Sequence, residues 1–475
     1  MLEGLEISVV SLKHLMDSAE TIRFDPEYFQ KTHLRDEAVV EARSSEFGLF
    51  KDLKLTVDAS AFYPSIESHY DTGTLPFLRV ADVDSVIDLN QCTTVPESIC
   101  RDFPTLKKVV PGDIVLTKGG SVARIGLVTQ NAAVSRDLIF INSSKLPEEE
   151  QTFLYLYFQT DFCNRWLIRS SSQTAQPHLT ITLVRNLPIL KASLAFKIKC
   201  VQLVRESYKK RQEYLSDYQK AEQTLIHTIG LEDWQPPKPL TYELKARDVF
   251  TTGRLDAEHF KPQYARLEAH IRATESFAFL QSLLIVNERG AQPDYADSGF
   301  PVVNSKHVAI GDVKLDDDNR HAIGKPNSTM IKYGDVLMNG TGMGTIGRAA
   351  PYLHHYEALP DNHVTILRPQ EGIIDPIYLA VFLNSLAGQY QVKKWFRGSS
   401  GQIELYPDDI SRFIVWIAPD DIQQSIRKAV ENAFAAQRQA RNLLDLAKRA
   451  VEIAIEENET TAMEFLKQSQ TRPSG

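Results

Sequence analysis

With 475 residues the chain is longer than one hydrophobic core usually organises, and its 43% hydrophobic and 24% charged content is ordinary for a globular protein. No run approaches the roughly eighteen apolar residues of a membrane span, and the opening MLEGLEISVVSLKHLMDSAE has acids where a secretory leader has a basic head. The expected location is cytoplasmic, with no membrane partner. A net charge of −8 weighs against a chain that holds nucleic acid over its whole surface, and the scattered Cys92, Cys100, Cys163 and Cys200 show no metal spacing.

Along the chain, short β-rich runs come first: LPFLRVADV (75–83), GDIVLT (112–117) and IGLVTQ (125–130), separated by turn residues. A helical pattern follows at FLYLYFQTDFCNRWLI (153–168), so residues 1–190 read as a mixed α+β domain. A long helix is expected over 191–230, with Val201, Tyr208, Leu215 and Ile229 at one heptad position and Val204, Tyr218 and Leu225 at the other. Gly230 stands where a C-terminal cap belongs, and Pro236, Pro237 and Pro239 forbid continuation, which makes 231–253 a linker.

The order then repeats over 254–418: FPVVNSKHV (300–308), GDVLMN (334–339), HVTILR (363–368) and the helical PIYLAVFLNSLAGQYQV (376–392). A second long helix is expected over 419–458, its seam built from Val430, Leu444 and Val451 with Ile426, Ala433, Ala440, Ala447 and Ala454. Bulky residues on the first helix and alanines on the second suit the two packing together. A polar, frayed tail is expected over 459–475.

The chain is in fact written twice. RFDPEYF (23–29) returns as RLDAEHF (254–260), and GDIVL (112–116) returns as GDVLM (334–338). A glycine turn and Ile-Gly follow each of the latter, at Ile125-Gly126 and Ile346-Gly347. Trp166 to Gln173 is matched with Trp395 to Gln402. Four segments in one order, at a spacing that barely drifts, imply duplication of about half the chain. That period lies far beyond the roughly 20–50 residues of solenoid repeats.

Catalytic motifs are absent. Gly342, Gly344 and Gly347 spell G-x-G-x-x-G, but Pro351 follows where a dinucleotide fold needs a helix, so a turn between strands is the better reading. No phosphate loop, H-E-x-x-H or amino-methyltransferase motif occurs, and no metal site is expected. The polar residues that could touch DNA fall in two glycine/serine turns of each copy. Lys118 and Arg124 answer to Asn339, Thr341 and Arg348; Arg165, Arg169, Ser171 and Gln173 answer to Lys393, Lys394, Arg397, Ser399 and Gln402. Arg and Lys neutralise phosphates, while Ser, Gln and backbone amides position the duplex or read base edges. Each residue also admits a blander reading, as part of a solvated loop.

Two tandem β-rich domains, each followed by a long helix, resemble the specificity subunits of type I restriction–modification systems. GDIVL and GDVLM with their glycine turns, and Ser399 to Gln402, carry the likeness; Ser171 to Leu179 is a looser version. The resemblance covers nearly the whole chain. It implies two target-recognition domains separated by two long antiparallel coiled-coil helices, each domain reading half of a bipartite double-stranded DNA site. It also implies a non-catalytic chain without cofactor, docked by two methyltransferase subunits and by restriction/translocase subunits. S-adenosylmethionine, ATP and Mg would reside on those partners only. The alternative from another class is a scaffold or adaptor subunit of a different phage-defence complex.

Overall fold

The computed structural model describes residues 6–17, 24–85, 87, 89, 92–119, 122–171, 178–237, 239–315, 319–324, 328–342, 344–398 and 403–471. The chain forms two compact α+β units, residues 1–209 with 439–475, and residues 210–438.

The first unit contains β1 (Phe47–Leu49), β2 (Val57–Ala59), β3 (Leu75–Leu78), β4 (Thr94–Val95), β5 (Lys107–Val109), β6 (Ile114–Thr117), β7 (Ile125–Leu127), β8 (Ala132–Val134), β9 (Leu138–Ile141) and β10 (Pro188–Leu190). These pair in the orders β2-β9-β6-β7, β4-β3-β8-β5 and β1-β10. The second unit contains β11 (Phe277–Phe279), β12 (Leu284–Arg289), β13 (Asp294–Ala296), β14 (Phe300–Val303), β15 (His321–Ile323), β16 (Val336–Asn339), β17 (Ala349–Pro351), β18 (Leu359–Pro360), β19 (Val364–Pro369) and β20 (Ile414–Trp416). Their orders are β12-β19-β16-β17, β13-β15-β14-β18 and β11-β20. The duplication extends to topology in two of the three sheets and to one parallel pairing in each unit, β3 with β8 and β14 with β18. The sheets that hold this pair differ in their outer strand, β5 beside β8 in the first and β13 beside β15 in the second.

Strands β6 and β16 are buried along their whole length, which is why they read as continuous apolar runs rather than alternating ones. Gly112 and Gly334 precede them at φ +91° and +87°, a left-handed conformation that a side chain resists. The next carboxylate closes the turn: Asp113 accepts from the Val110 N–H at 3.0 Å and Asp335 from the Lys332 N–H at 2.7 Å. The repeated Gly-Asp is a device that aims the chain into the core. Gly342, Gly344 and Gly347 also take positive φ, in the connection from β16 to β17, and no helix follows them.

The long helices are Leu194–Thr228 and Asp420–Glu456, and Gly230 sits just beyond the first at φ +73°. Both are divided between the units, at 209/210 and 438/439. The reason lies in what they bury. Phe196, Cys200 and Val204 belong to the core of the first unit, whereas Ala221, Leu225 and Ile229 belong to that of the second. Leu215, on the seam by heptad position, is 47% exposed. Within the first unit the helices run antiparallel: Ser207 Oγ donates to the Ala440 carbonyl at 2.7 Å, and the Ser193 N–H to Glu459 Oε1 at 2.7 Å. Ala447, Ala450 and Ala454 share that core with Leu203 and Val204, large against small.

Three expectations need correction. The segment from Glu459 is a helix, Glu459–Thr471, held because Ala462 and Leu466 enter the first core one turn apart. The presumed linker contains the helix Ala246–Thr252, closed by Gly253 at φ +65°. The third concerns register. Helices Asp161–Ser170 and Leu386–Trp395 are equivalent, and the preceding Thr160 and Ser385 each donate a side-chain hydroxyl back to the end of the helix before, to the carbonyls of Tyr157 and Phe382. Aligned on those two hydroxyls, Trp166 corresponds to Gln391, not to Trp395.

Candidate nucleic-acid interface

Each unit ties its two polar turns together through backbone. After β6 the Lys118 N–H donates to the Asp137 carbonyl, and the Leu179 N–H to the Lys118 carbonyl, both at 2.8 Å. After β16 the same positions are filled by Gly340, which donates to the His363 carbonyl and accepts from the Leu405 N–H, again both at 2.8 Å. The segment that follows the serine stretch thus clamps the glycine turn in both copies. Ala123 supports the first turn with φ +62° and an N–H to the Thr117 carbonyl at 3.1 Å.

The candidate side chains then separate into two groups. Arg124 and Lys393 are exposed, and Lys118 and Arg348 are half-buried. Arg397 keeps 53% of its side chain exposed while pairing with the buried Asp409 at 2.7 Å, which raises its already high pKa. Thr341 Oγ1 lies 2.9 Å from His363 Nδ1. Gln173, Ser399 and Gln402 lie outside the described residues.

The other group is engaged internally. Arg169 is 4% exposed; its guanidinium donates to the Tyr28 carbonyl and to Glu37 at 2.8 and 2.9 Å, and lies 4.1 Å from the Tyr28 ring centroid. Arg165 forms a two-pronged pair with Asp36, both bonds at 2.8 Å. Lys394, the counterpart of Arg169, pairs with Glu268 at 2.5 Å. Glu268 is itself the counterpart of Glu37 when RLDAEHF is laid on RFDPEYF. Asn339 is fully buried and donates to the Ser305 carbonyl at 3.0 Å, and Ser171 Oγ donates to Ile168 at 2.7 Å. A buried cation is retained only with partners that replace its hydration, so the expectation that Arg169 faces DNA gives way to an architectural role. The same holds for the buried Ser171 and Asn339 and for the half-buried Arg165 and Lys394, each held by a carboxylate. Arg165 and Lys394 tie Asp36 and Glu268 to the helices Asp161–Ser170 and Leu386–Trp395, and Arg169 fastens Tyr28 of the first repeat segment to the former. In the second copy Arg254 does the same, donating to the Trp395 carbonyl at 3.0 Å.

Some surface residues escaped the motif reading. Tyr406, 40% exposed, has the guanidinium carbons of Arg289 and Arg397 5.6 and 5.7 Å from its ring centroid. Phe62 protrudes with 76% exposure at a groove of the first unit. An aromatic ring set among the turn residues of SAFYPS (60–65) was the available signal. His14, Glu37 and Glu41 gather within 4.8 Å of one another, but Glu37 already neutralises Arg169.

Two buried histidines make the framework sensitive to acid. Burial holds His33 below its ordinary value, with Arg169 adding to the effect, and burial likewise lowers His259. His259 Nδ1 faces the Lys394 carbonyl at 2.7 Å, which suits the neutral ring with its proton on that nitrogen. A depressed folded pKa means that the unfolded chain binds protons first. The stability these rings contribute is complete above about pH 6.5 and is lost as pH falls through their folded values. Hydrogen exchange should therefore show the second unit losing stability from pH 7 to 5, by at most about 1.4 kcal/mol per pH unit for one proton. His259→Phe should flatten that dependence; an unchanged slope would exclude His259 as its source.

No family model matches the chain, and no curated protein does. Among solved structures it is similar to the S subunit of a type I restriction–modification system from M. genitalium, at 13% identity over 88% of this chain and 95% of that one, with a TM-score of 0.33. The HsdS subunit from Thermoanaerobacter tengcongensis is similar at 14% identity over 89% and 93%, with a TM-score of 0.26. The type IIG restriction endonuclease BpuSI matches 38% of this chain with 28% of its own, at 10% identity and a TM-score of 0.31. The first two belong to the family that the sequence resembles. At such identities and TM-scores, function has to be argued from this chain's own residues.

Proposed function

We propose that this chain is the non-catalytic specificity subunit of a type I restriction–modification complex, its two units each reading one half of a split DNA site. The observation that carries this reading is the duplication of a complete α+β unit whose turns and central sheet recur in both copies while the exposed side chains differ. Two similar readers with different surfaces suit a bipartite, asymmetric target. Phosphate contacts fall to the exposed or half-exposed cations Lys118, Arg124, Arg348, Lys393 and Arg397. With a net charge of −8, the chain would rely on two methyltransferase subunits for further basic surface. Those partners would bring S-adenosylmethionine, and translocase subunits would bring ATP and Mg. The same acidic balance favours the second reading, an adaptor in another phage-defence complex whose surfaces meet protein.

Co-expression of the chain with a type I adenine methyltransferase subunit from the same genome, followed by sequencing of modified adenines, tests the proposal. A two-part motif with a fixed gap is expected. A continuous motif, or methylation indifferent to the presence of the chain, would overturn it.

A further inference from the structure

The duplication lets one half of the chain serve as the reference for the other. After the parallel strand of each unit comes a three-residue turn, Ser135 to Asp137 in the first and Asp361 to His363 in the second. The Ser135 N–H donates to the Leu78 carbonyl and the Asp361 N–H to the Val303 carbonyl, both at 2.9 Å. Leu138 then bonds back to Ser135 and Val364 back to Asp361, both at 3.2 Å. The middle residue is thereby fixed at one place in both frames: Arg136 in the first unit, Asn362 in the second. Each stands beside the clamp described above, since the next residue, Asp137 or His363, accepts from the glycine turn.

The surroundings differ as sharply as the frames agree. Arg136 is exposed and lines a groove of about 670 Å³ together with Phe62, Tyr63, Tyr70 and Arg79. Among the described residues no carboxylate pairs with Arg136, whereas Arg79 is tied to Asp82. In the second unit the loop equivalent to Phe62 and Tyr63 carries Gln292 and Pro293, in a depression of about 270 Å³, and Asn362 is half-buried with its carbonyl bonded to Arg289 at 2.7 Å.

We infer that Arg136 and Asn362 are equivalent base-reading residues, so that the first unit selects a guanine and the second an adenine at matching places in the two half-sites. This rests on the DNA-reading function proposed above. The chemistry is that of the side chains: a guanidinium fork meets guanine O6 and N7, and a carboxamide meets adenine N7 and N6. The exposed ring of Phe62 and the half-buried ring of Tyr63 give Arg136 an apolar wall, which strengthens a hydrogen bond by excluding water. Phosphate contacts would not require the two positions to differ; reading different bases would.

The test uses the full chain with its co-expressed methyltransferase, and reads the methylated motif of Arg136→Ala, Arg136→Lys and Asn362→Ala. Arg136→Ala should relax one guanine position in one half-site, with discrimination falling roughly 5- to 150-fold. Arg136→Lys keeps the charge but not the fork, so it should relax the same position while overall affinity holds. Asn362→Ala should relax an adenine in the other half-site only. A wild-type split motif retained unchanged by all three variants would overturn this assignment and leave the specificity-subunit reading intact. Absence of a split motif for the wild type would overturn both. Circular dichroism of each variant separates misfolding from loss of readout, and Arg136→Lys, the mildest change, decides if Arg136→Ala misfolds.

Discussion

Replacing Arg169 with alanine should destabilise the first unit by about 3 kcal/mol, because removing one member of a buried ion pair strands the other. Only 3% of the Arg169 side chain is exposed, and its partner Glu37 is 17% exposed. The truncation removes the Glu37 counter-ion, leaves the Tyr28 carbonyl without its 2.8 Å donor and opens the space above the Tyr28 ring. Lys393→Ala is the control: its exposed side chain predicts a change within about 0.5 kcal/mol. A two-unit chain has no single unfolding free energy, so hydrogen exchange of the amides between Tyr28 and Glu37 is the measurement. If Arg169→Ala exchanges like the wild type but binds DNA less tightly, Arg169 faces phosphate after all and the buried pair is inconsequential.

Arg169 also shows what can and cannot be read without coordinates. The strands around Gly112-Asp113 and Gly334-Asp335 were legible because their signal is local: a glycine forced to positive φ, a turn-closing carboxylate and an unbroken apolar run. Whether an arginine is free for DNA is not a local property. The carboxylates that claim Arg165 and Arg169 lie 129 and 132 residues away in sequence, so a cation in a serine-rich turn looks the same whether paired or available. The register of the second repeat failed for a different reason. Matching Trp166 with Trp395 displaces the second helix by about one turn from the alignment on Thr160 and Ser385. Such a slip returns side chains to the same face, so the hydrophobic pattern survives the error. A small hydroxyl residue at the helix start sets the register, and it carries less apparent information than a tryptophan. Arg136 carries no motif signal, because it shares a three-residue turn with Asp137 between two apolar strands and is notable only when set against Asn362.

The duplicated Gly-Asp turn gives an internal measure of what a buried ion pair adds. Asp335→Ala should cost the second unit about 4 kcal/mol, and Asp113→Ala the first about 2 kcal/mol. Both carboxylates are buried and both accept a backbone N–H within their own turn. Asp113 has a second amide, from Ser144 at 3.3 Å. Asp335 instead receives Arg368 through two nitrogens, at 2.7 and 2.8 Å. Where Arg368 stands in the second unit, the first has Asn142, paired with β2 through the Thr56 carbonyl at 3.0 Å. Removing Asp335 leaves a guanidinium, 21% exposed, with the Met330 carbonyl at 2.8 Å among its remaining acceptors; removing Asp113 strands only neutral amides. If the penalty at 335 comes from the stranded charge, replacing both partners with apolar residues, Asp335→Leu with Arg368→Met, should recover a large part of it. Hydrogen exchange followed separately in β6 and β16 gives the comparison. Equal losses for the two alanine variants, with no recovery in the double variant, would show that the turn-closing amide bonds hold this site and that Arg368 adds nothing to it.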